Sequence, residues 1–138
     1  MKVYKAKAPS YISAKVRGRL LISEEPISFF GEVDPQTSRI INPSSPIHGK
    51  ALKDRILVMP HGRGSTVGSY IIYALARRSI APKAILMLEP DSVVATGCAM
   101  GEVPFAYDIP RELLNSSSFQ DREVLIEFKQ GMAKITVY

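Results

Sequence analysis

The stretch RILVMPHGRGSTVGSY, residues 55 to 70, decides how the chain is read. Its first part, Arg55-Ile-Leu-Val-Met59, is the unbroken apolar run that a strand covered on both faces carries. Val67, Ile71, Ala74 and Leu75 then recur at helical spacing, and Arg77 and Arg78 stand where cations favour a helix C-terminus. Between the two, Pro60 to Thr66 is too polar for a core and too rich in glycine for the middle of a helix. A second apolar run, Ala84 to Leu88, is introduced by Ala81-Pro82 and closed by Glu89-Pro90-Asp91. The whole reads as a β-loop-α-β unit.

On the N-terminal side, Ala14 to Ile22 is β-rich and Ile27 to Val33 reads as a second strand. Asp34-Pro35-Gln36-Thr37 has turn chemistry, Ile40 and Ile41 suggest a short strand, and Asn42 to Pro46 is a loop by composition. On the C-terminal side, Val93 to Thr96 and Pro104 to Tyr107 read as short strands separated by tight loops at Gly97 and Gly101. Glu123 to Phe128, a turn at Gln130-Gly131, and Ala133 to Tyr138 read as a β-hairpin. The expected fold is α/β with more strand than helix: one domain over residues 1–138, built as a compact barrel-like sheet with one or two flanking helices.

At 138 residues, with 46% hydrophobic and 22% charged side chains, the composition is that of a globular domain. No stretch approaches ~18 uninterrupted apolar residues, and the basic start MKVYKAK has no apolar core behind it. The expectation is a cytoplasmic protein with no membrane span. The net charge of +5 comes from 18 Lys and Arg scattered along the chain. The short basic pieces Lys2 to Lys7 and Lys15 to Arg19 lack the row of aromatics of a stacking platform, so nucleic acid is not an expected partner. A basic surface equally suits an acidic partner or an anionic substrate. Cys98 is the only cysteine, and His48 and His61 are the only histidines, without HExxH spacing. One thiol cannot supply the ligands of an iron-sulfur cluster or a closed zinc site, so no metal site is expected in this chain.

The glycine loop has two readings. A strand that feeds a helix through such a turn leaves first-turn N–H groups unpaired, an anion site at the positive end of the helix dipole. Gly62 and Gly64 permit close backbone approach, Arg63 offers a planar fork for carboxylate or phosphate, and Ser65 and Thr66 bring hydroxyls to the helix start. Alternatively Ser65 or Thr66 is an ordinary N-cap and the glycines ordinary turn formers. Neither GxxxxGK[ST] nor GxGxxG is present, since the third glycine falls at 68, one residue late. There is no GxSxG elbow, and Ser65 beside Arg63 is a candidate base rather than a nucleophile.

Phe30-Gly31-Glu32-Val33-Asp34-Pro35, Pro46-Ile47-His48-Gly49, Gly62 to Tyr70, Pro90 to Gly97 and Val103-Pro104 together resemble the small subunit of the aconitase X family, in order across about residues 12 to 110. The resemblance is strongest to its archaeal members. It implies a swivelling β/β/α domain, equivalent to the mobile C-terminal domain of aconitases but made as a separate polypeptide. It further implies a large subunit that holds a 4Fe-4S cluster, with the active site between the two chains. The implied reaction removes water from (R)-5-phosphomevalonate to give trans-anhydromevalonate 5-phosphate in an archaeal mevalonate route. Ser65 matches the serine that aconitase-like enzymes use as base. Arg63, with the backbone at Gly62, Gly64 and Thr66, would hold the substrate's carboxylate or phosphate.

Two positions depart from the family pattern. His61 stands where relatives tend to carry a small residue, and it either touches substrate or lines the loop. Cys98 reads as a buried small side chain. Asp34, His48 and Asp91 match family positions, where turn formation or loop bracing explains each as well as substrate contact. Within the same family another dehydration, such as that of hydroxyproline, stays open, and a non-catalytic anion-binding module is the competing class. An exposed apolar patch of Phe29, Phe30, Tyr70 and Tyr107 would mark a permanent partner.

Overall fold

Four apolar residues in a row, Ile56 to Met59, have no polar face to give to water. The computed structural model, which describes residues Met1 to Tyr138, places all four at 0% exposure in the middle of a sheet. Burying each such side chain is worth about 1.5–3 kcal/mol. In chain order the elements are β1 (Lys2–Lys7), β2 (Ala14–Ile22), a kinked helical turn α1 (Phe29–Glu32), β3 (Arg55–Met59), α2 (Val67–Arg77), β4 (Ala84–Met87) and α3 (Ser92–Gly101). Then follow β5 (Phe105–Ala106), a 3-10 turn at Arg111–Leu114, α4 (Ser116–Phe119), β6 (Glu123–Lys129) and β7 (Met132–Val137).

The strands form one seven-stranded sheet in the order β1-β7-β6-β2-β3-β4-β5. Strands β2, β3, β4 and β5 are parallel, whereas β1, β7, β6 and β2 pair antiparallel. The edges meet: Lys7 and Tyr107 exchange backbone hydrogen bonds of 3.0 and 2.8 Å, which curls the sheet into the expected barrel-like layer. A single cluster of 36 buried apolar residues runs through both halves, so they share one core. In the hairpin of β6 and β7, Gln130 and Gly131 both take positive φ, 52° and 79°, the twist that a two-residue turn between strands requires. No helix is long and apolar enough to cross a membrane.

Several expectations are corrected. Val93 to Thr96 is not a strand but the start of helix α3. Asp91 accepts a hydrogen bond from Val94 N at 3.0 Å and caps it, and Val94 and Cys98, four apart, share its buried face. Gly97 and Gly101 are helix contacts rather than loop formers. A Cβ at Gly97 would lie 2.8 Å from Ser69 O on α2, so only glycine lets the two helices lie this close.

Ile27 to Val33 is not a continuous strand either. Ile27 bridges Gly62 and Val33 bridges Ile40, but Phe29 to Glu32 coil between them, with Gly31 at φ +97°. Ile40 makes only isolated bridging contacts, so no strand forms at Ile40 and Ile41. In α2 the helix is where the spacing puts it, but the buried stripe is Gly68, Ser69, Ile72 and Leu75 while Val67 is exposed. Packing on α3 sets that phase: Ser69 Oγ donates to Val93 O at 2.6 Å.

Candidate functional site

Strands β2, β3 and β4 run parallel, so the segments that follow them, residues 23–33, 60–66 and 88–91, gather at one rim of the sheet. The outer end of parallel strands is where ligands collect in such sheets. The glycine loop is pinned there from both sides. Arg63 N donates to Ile27 O at 3.0 Å. A Cβ at Gly62 would sit 2.7 Å from Val94 Cγ2 and 3.1 Å from Asp91 Oδ2, so this glycine serves packing against α3. Gly64 has φ +94°, and a Cβ there would run into the Ser28 hydroxyl. The two glycines thus press the loop between its neighbours and leave Arg63, Gly64, Ser65 and Thr66 exposed.

The N–H groups of the first turn of α2 are paired, and the open ones lie just before it. Ser65 Oγ accepts from Val67 N at 3.2 Å, and Ser65 O accepts from Gly68 N at 3.0 Å. Thr66, at the cap position, makes no side-chain cap bond. The backbone N–H groups of Gly64, Ser65 and Thr66 have no partner in the chain. Three successive open donors at the positive end of an eleven-residue helix can receive an anion or stabilise an alkoxide.

Arg63 lies next to this turn but is not free. Its Nη2 donates to Glu32 Oε2 at 2.8 Å, with the arginine side chain 53% exposed and that of Glu32 only 12%. Glu32 also accepts from Ser28 N at 2.8 Å and from Asn42 Nδ2 at 3.0 Å. Burial favours its neutral form, but the bonds from Asn42, Ser28 and Arg63 outweigh burial and hold the carboxyl below the usual carboxylate range. A polar cleft of about 260 Å³ opens here, lined among others by Glu25, Asn42, Ser44, Ser45 and Arg63. A second, of about 250 Å³, lies between α2 and α3 on the Thr66 side. Glu32 was not among the expected site residues; its signals were an acid in the mostly apolar stretch Ile27 to Val33 and its place in the Phe30-to-Pro35 block.

His61 is half-buried, and its Nδ1 lies 2.6 Å from Gly62 O. A carbonyl only accepts, so Nδ1 carries the hydrogen and is engaged within the loop. Asp91 caps α3 and Asp34 accepts from Gln36 N at 2.9 Å, which is bracing, while His48 is exposed. Cys98 is fully buried, and burial pushes its thiol well above the ordinary range. No group of three or more His, Cys, Asp or Glu side chains is arranged to hold a metal ion. The expected aromatic patch is smaller than expected: Phe29 is buried and Tyr107 half-buried, whereas Phe30 and Tyr70 are 55% and 64% exposed.

This half-parallel, barrel-like sheet, with two packed helices and an open glycine-rich helix start at its rim, has the build of a swivel domain. The chain belongs to the family described as the aconitase X swivel domain, which matches residues 5–135. Among its relatives is the phosphomevalonate dehydratase small subunit of Thermococcus sibiricus, 46% identical over 110 residues, 80% of this chain and 85% of that one. The protein of the same name from Pyrococcus furiosus is 41% identical over 131 residues, 95% of each chain. The crystal structure of Thermococcus kodakaraensis aconitase X in its holo-form superposes with a TM-score of 0.81 at 35% identity, over 96% of this chain and 98% of that one.

Proposed function

We propose that this chain, as one swivel domain over residues 1–138, is the small subunit of a heteromeric hydro-lyase. The enzyme dehydrates (R)-5-phosphomevalonate to trans-anhydromevalonate 5-phosphate, in the cytoplasm and in an archaeal route to isoprenoids. The substrate is taken from the name its relatives share. The observation that carries the site is the exposed Ser65 hydroxyl in the middle of three open backbone donors, with Arg63 beside it.

Loss of water from a 3-hydroxy carboxylate needs a Lewis acid for the departing hydroxyl and a base for the proton beside the carboxylate. The residues here do not fit a cluster, since the one thiol is buried inside the core. A 4Fe-4S cluster held by the large subunit supplies the Lewis acid. This chain contributes the base: Ser65 Oγ, as alkoxide, takes the proton. The neighbouring N–H groups and the helix dipole lower the cost of that alkoxide. Arg63, the backbone at Gly62 and Gly64, and Thr66 hold the carboxylate or phosphate, with His61 at the loop's entrance. Phe30, Val67 and Tyr70, exposed around the same turn, supply an apolar rim suited to the large subunit.

The test is proton NMR of 5-phosphomevalonate incubated anaerobically with both subunits, with each alone as control. A vinyl signal in the mixture only is the expected result. No signal, with the cluster intact and the two chains associated, would sink the substrate reading and make hydroxyproline the next compound to try.

A further inference from the structure

We infer that Glu32 is a positioning residue for substrate binding, acting through the Arg63 guanidinium; this rests on the reading of Arg63 as the residue that holds the substrate's anionic group. The ion pair joins side chains 31 residues apart, from the segment after β2 to the loop after β3. Glu32 is fixed from two further directions, by Ser28 N at 2.8 Å on Oε2 and by Asn42 Nδ2 at 3.0 Å on Oε1. Arg63 is anchored on the same segment through its own backbone, N to Ile27 O at 3.0 Å.

Chemistry limits what Glu32 can do. An ionised carboxylate only accepts hydrogen bonds, so it cannot itself bind a phosphate or a carboxylate. Arginine carries five N–H donors in a flat fork, and the bond to Glu32 uses Nη2 alone. The remaining donors stay on a side chain that is half in solvent. An unrestrained arginine there would lose rotamer freedom on binding an anion, at a cost of roughly a three- to ten-fold loss of affinity. A buried carboxylate that already holds the fork removes most of that loss. The nearby negative charge acts the other way, by repelling the anion, and the sign of the measured effect decides which wins.

The experiment is a double-mutant cycle in the assembled two-subunit enzyme, with E32Q, R63A and the double variant compared under anaerobic steady-state conditions. R63A is expected to raise KM for 5-phosphomevalonate. E32Q is expected to raise it roughly three- to ten-fold with little change in kcat, and to add nothing in the R63A background. An E32Q effect that persists in that background, a fall in kcat in place of the KM rise, or a KM that is unchanged or lower would each overturn the inference. If R63A alone leaves KM unchanged, the reading of Arg63 falls, and the role of Glu32 with it. Asn42→Ala removes one brace of Glu32 and leaves the ion pair; should E32Q fail to assemble, an unchanged KM in N42A overturns the inference. If the native enzyme does not turn over 5-phosphomevalonate, the substrate reading fails by itself. Inorganic phosphate then decides for Glu32: its stabilisation of the assembly against heat must be lost in R63A and weakened in E32Q.

Discussion

Helices α2 and α3 follow neighbouring parallel strands, start at the same rim and lie against each other, yet their first turns are closed by different groups. At α3 the chain supplies its own negative end: Asp91 caps Val94 N, and Asp91 O accepts from Ala95 N at 2.9 Å. At α2 the cap position holds Thr66 without a side-chain bond: Ser65 Oγ takes Val67 N, backbone carbonyls take Gly68 N and Ser69 N, and the open N–H groups of Gly64, Ser65 and Thr66 lie just before the helix. An aspartate at the second site would place a negative charge beside the open donors and repel an anionic substrate. The two starts therefore differ in charge: the helix whose job is packing begins on a carboxylate, and the one where a ligand is proposed to bind begins on hydroxyls alone.

Ser65→Ala is the most severe way to test that contrast. Turnover of the assembled enzyme should fall by about 10²- to 10⁴-fold, the range for loss of a positioned base. Assembly and folding should persist, because the backbone donors remain. Near-normal turnover would remove Ser65 from the mechanism. On the α3 side, Gly97→Ala should act on the fold and not on the open turn. Its Cβ would press within 2.9 Å of both Ser69 O and Ile72 Cβ, so denaturant unfolding should show a loss of about 1–3 kcal/mol. An unchanged midpoint would mean that the two helices can part at no cost.

A smaller difference separates the two caps. Asp91→Ala should cost about 1 kcal/mol of stability, whereas Thr66→Ala should cost at most a few tenths. Equal losses would break the comparison between the two first turns. The smallest effect concerns pH. The Glu32 carboxyl lies below its ordinary range in the folded chain, so its contribution to stability is complete above about pH 4.3 and is lost as pH falls through the folded pKa. The difference in melting midpoint between the native chain and E32Q should shrink on acidification. A difference that stays flat down to the acid limit would show that Glu32's charge does not contribute.

Elements whose signal is contained in a few adjacent residues were legible. Ile56 to Met59 could only be buried on both faces, and Gln130-Gly131 between two alternating runs could only turn. The segment at 93–96 misled because Val93, Val94 and Thr96 are β-branched, a preference worth less than one good cap and a tight helix contact. Its usable signal was Asp91 three residues before the buried Val94. The stripe on α2 was read one residue out of phase, since apolar Val67 faces outward and polar Ser69 packs inward against Val93 O.

The site divides along the same line. Ser65, Arg63 and the glycines are consecutive, so their chemistry and their place at a helix start follow from the chain alone. What each glycine is for does not: the neighbours that exclude a side chain at Gly62 are Asp91 and Val94, and at Gly64 it is Ser28. Nor does any local pattern reveal that Arg63 is held by Glu32, 31 residues earlier. Runs of residue type carry periodicity, turn chemistry and the capacity to bind an anion, because these depend on neighbours along the backbone. Which donors stay open, which carboxylate grips the arginine and how closely two helices approach depend on neighbours across space, and folding alone brings those together.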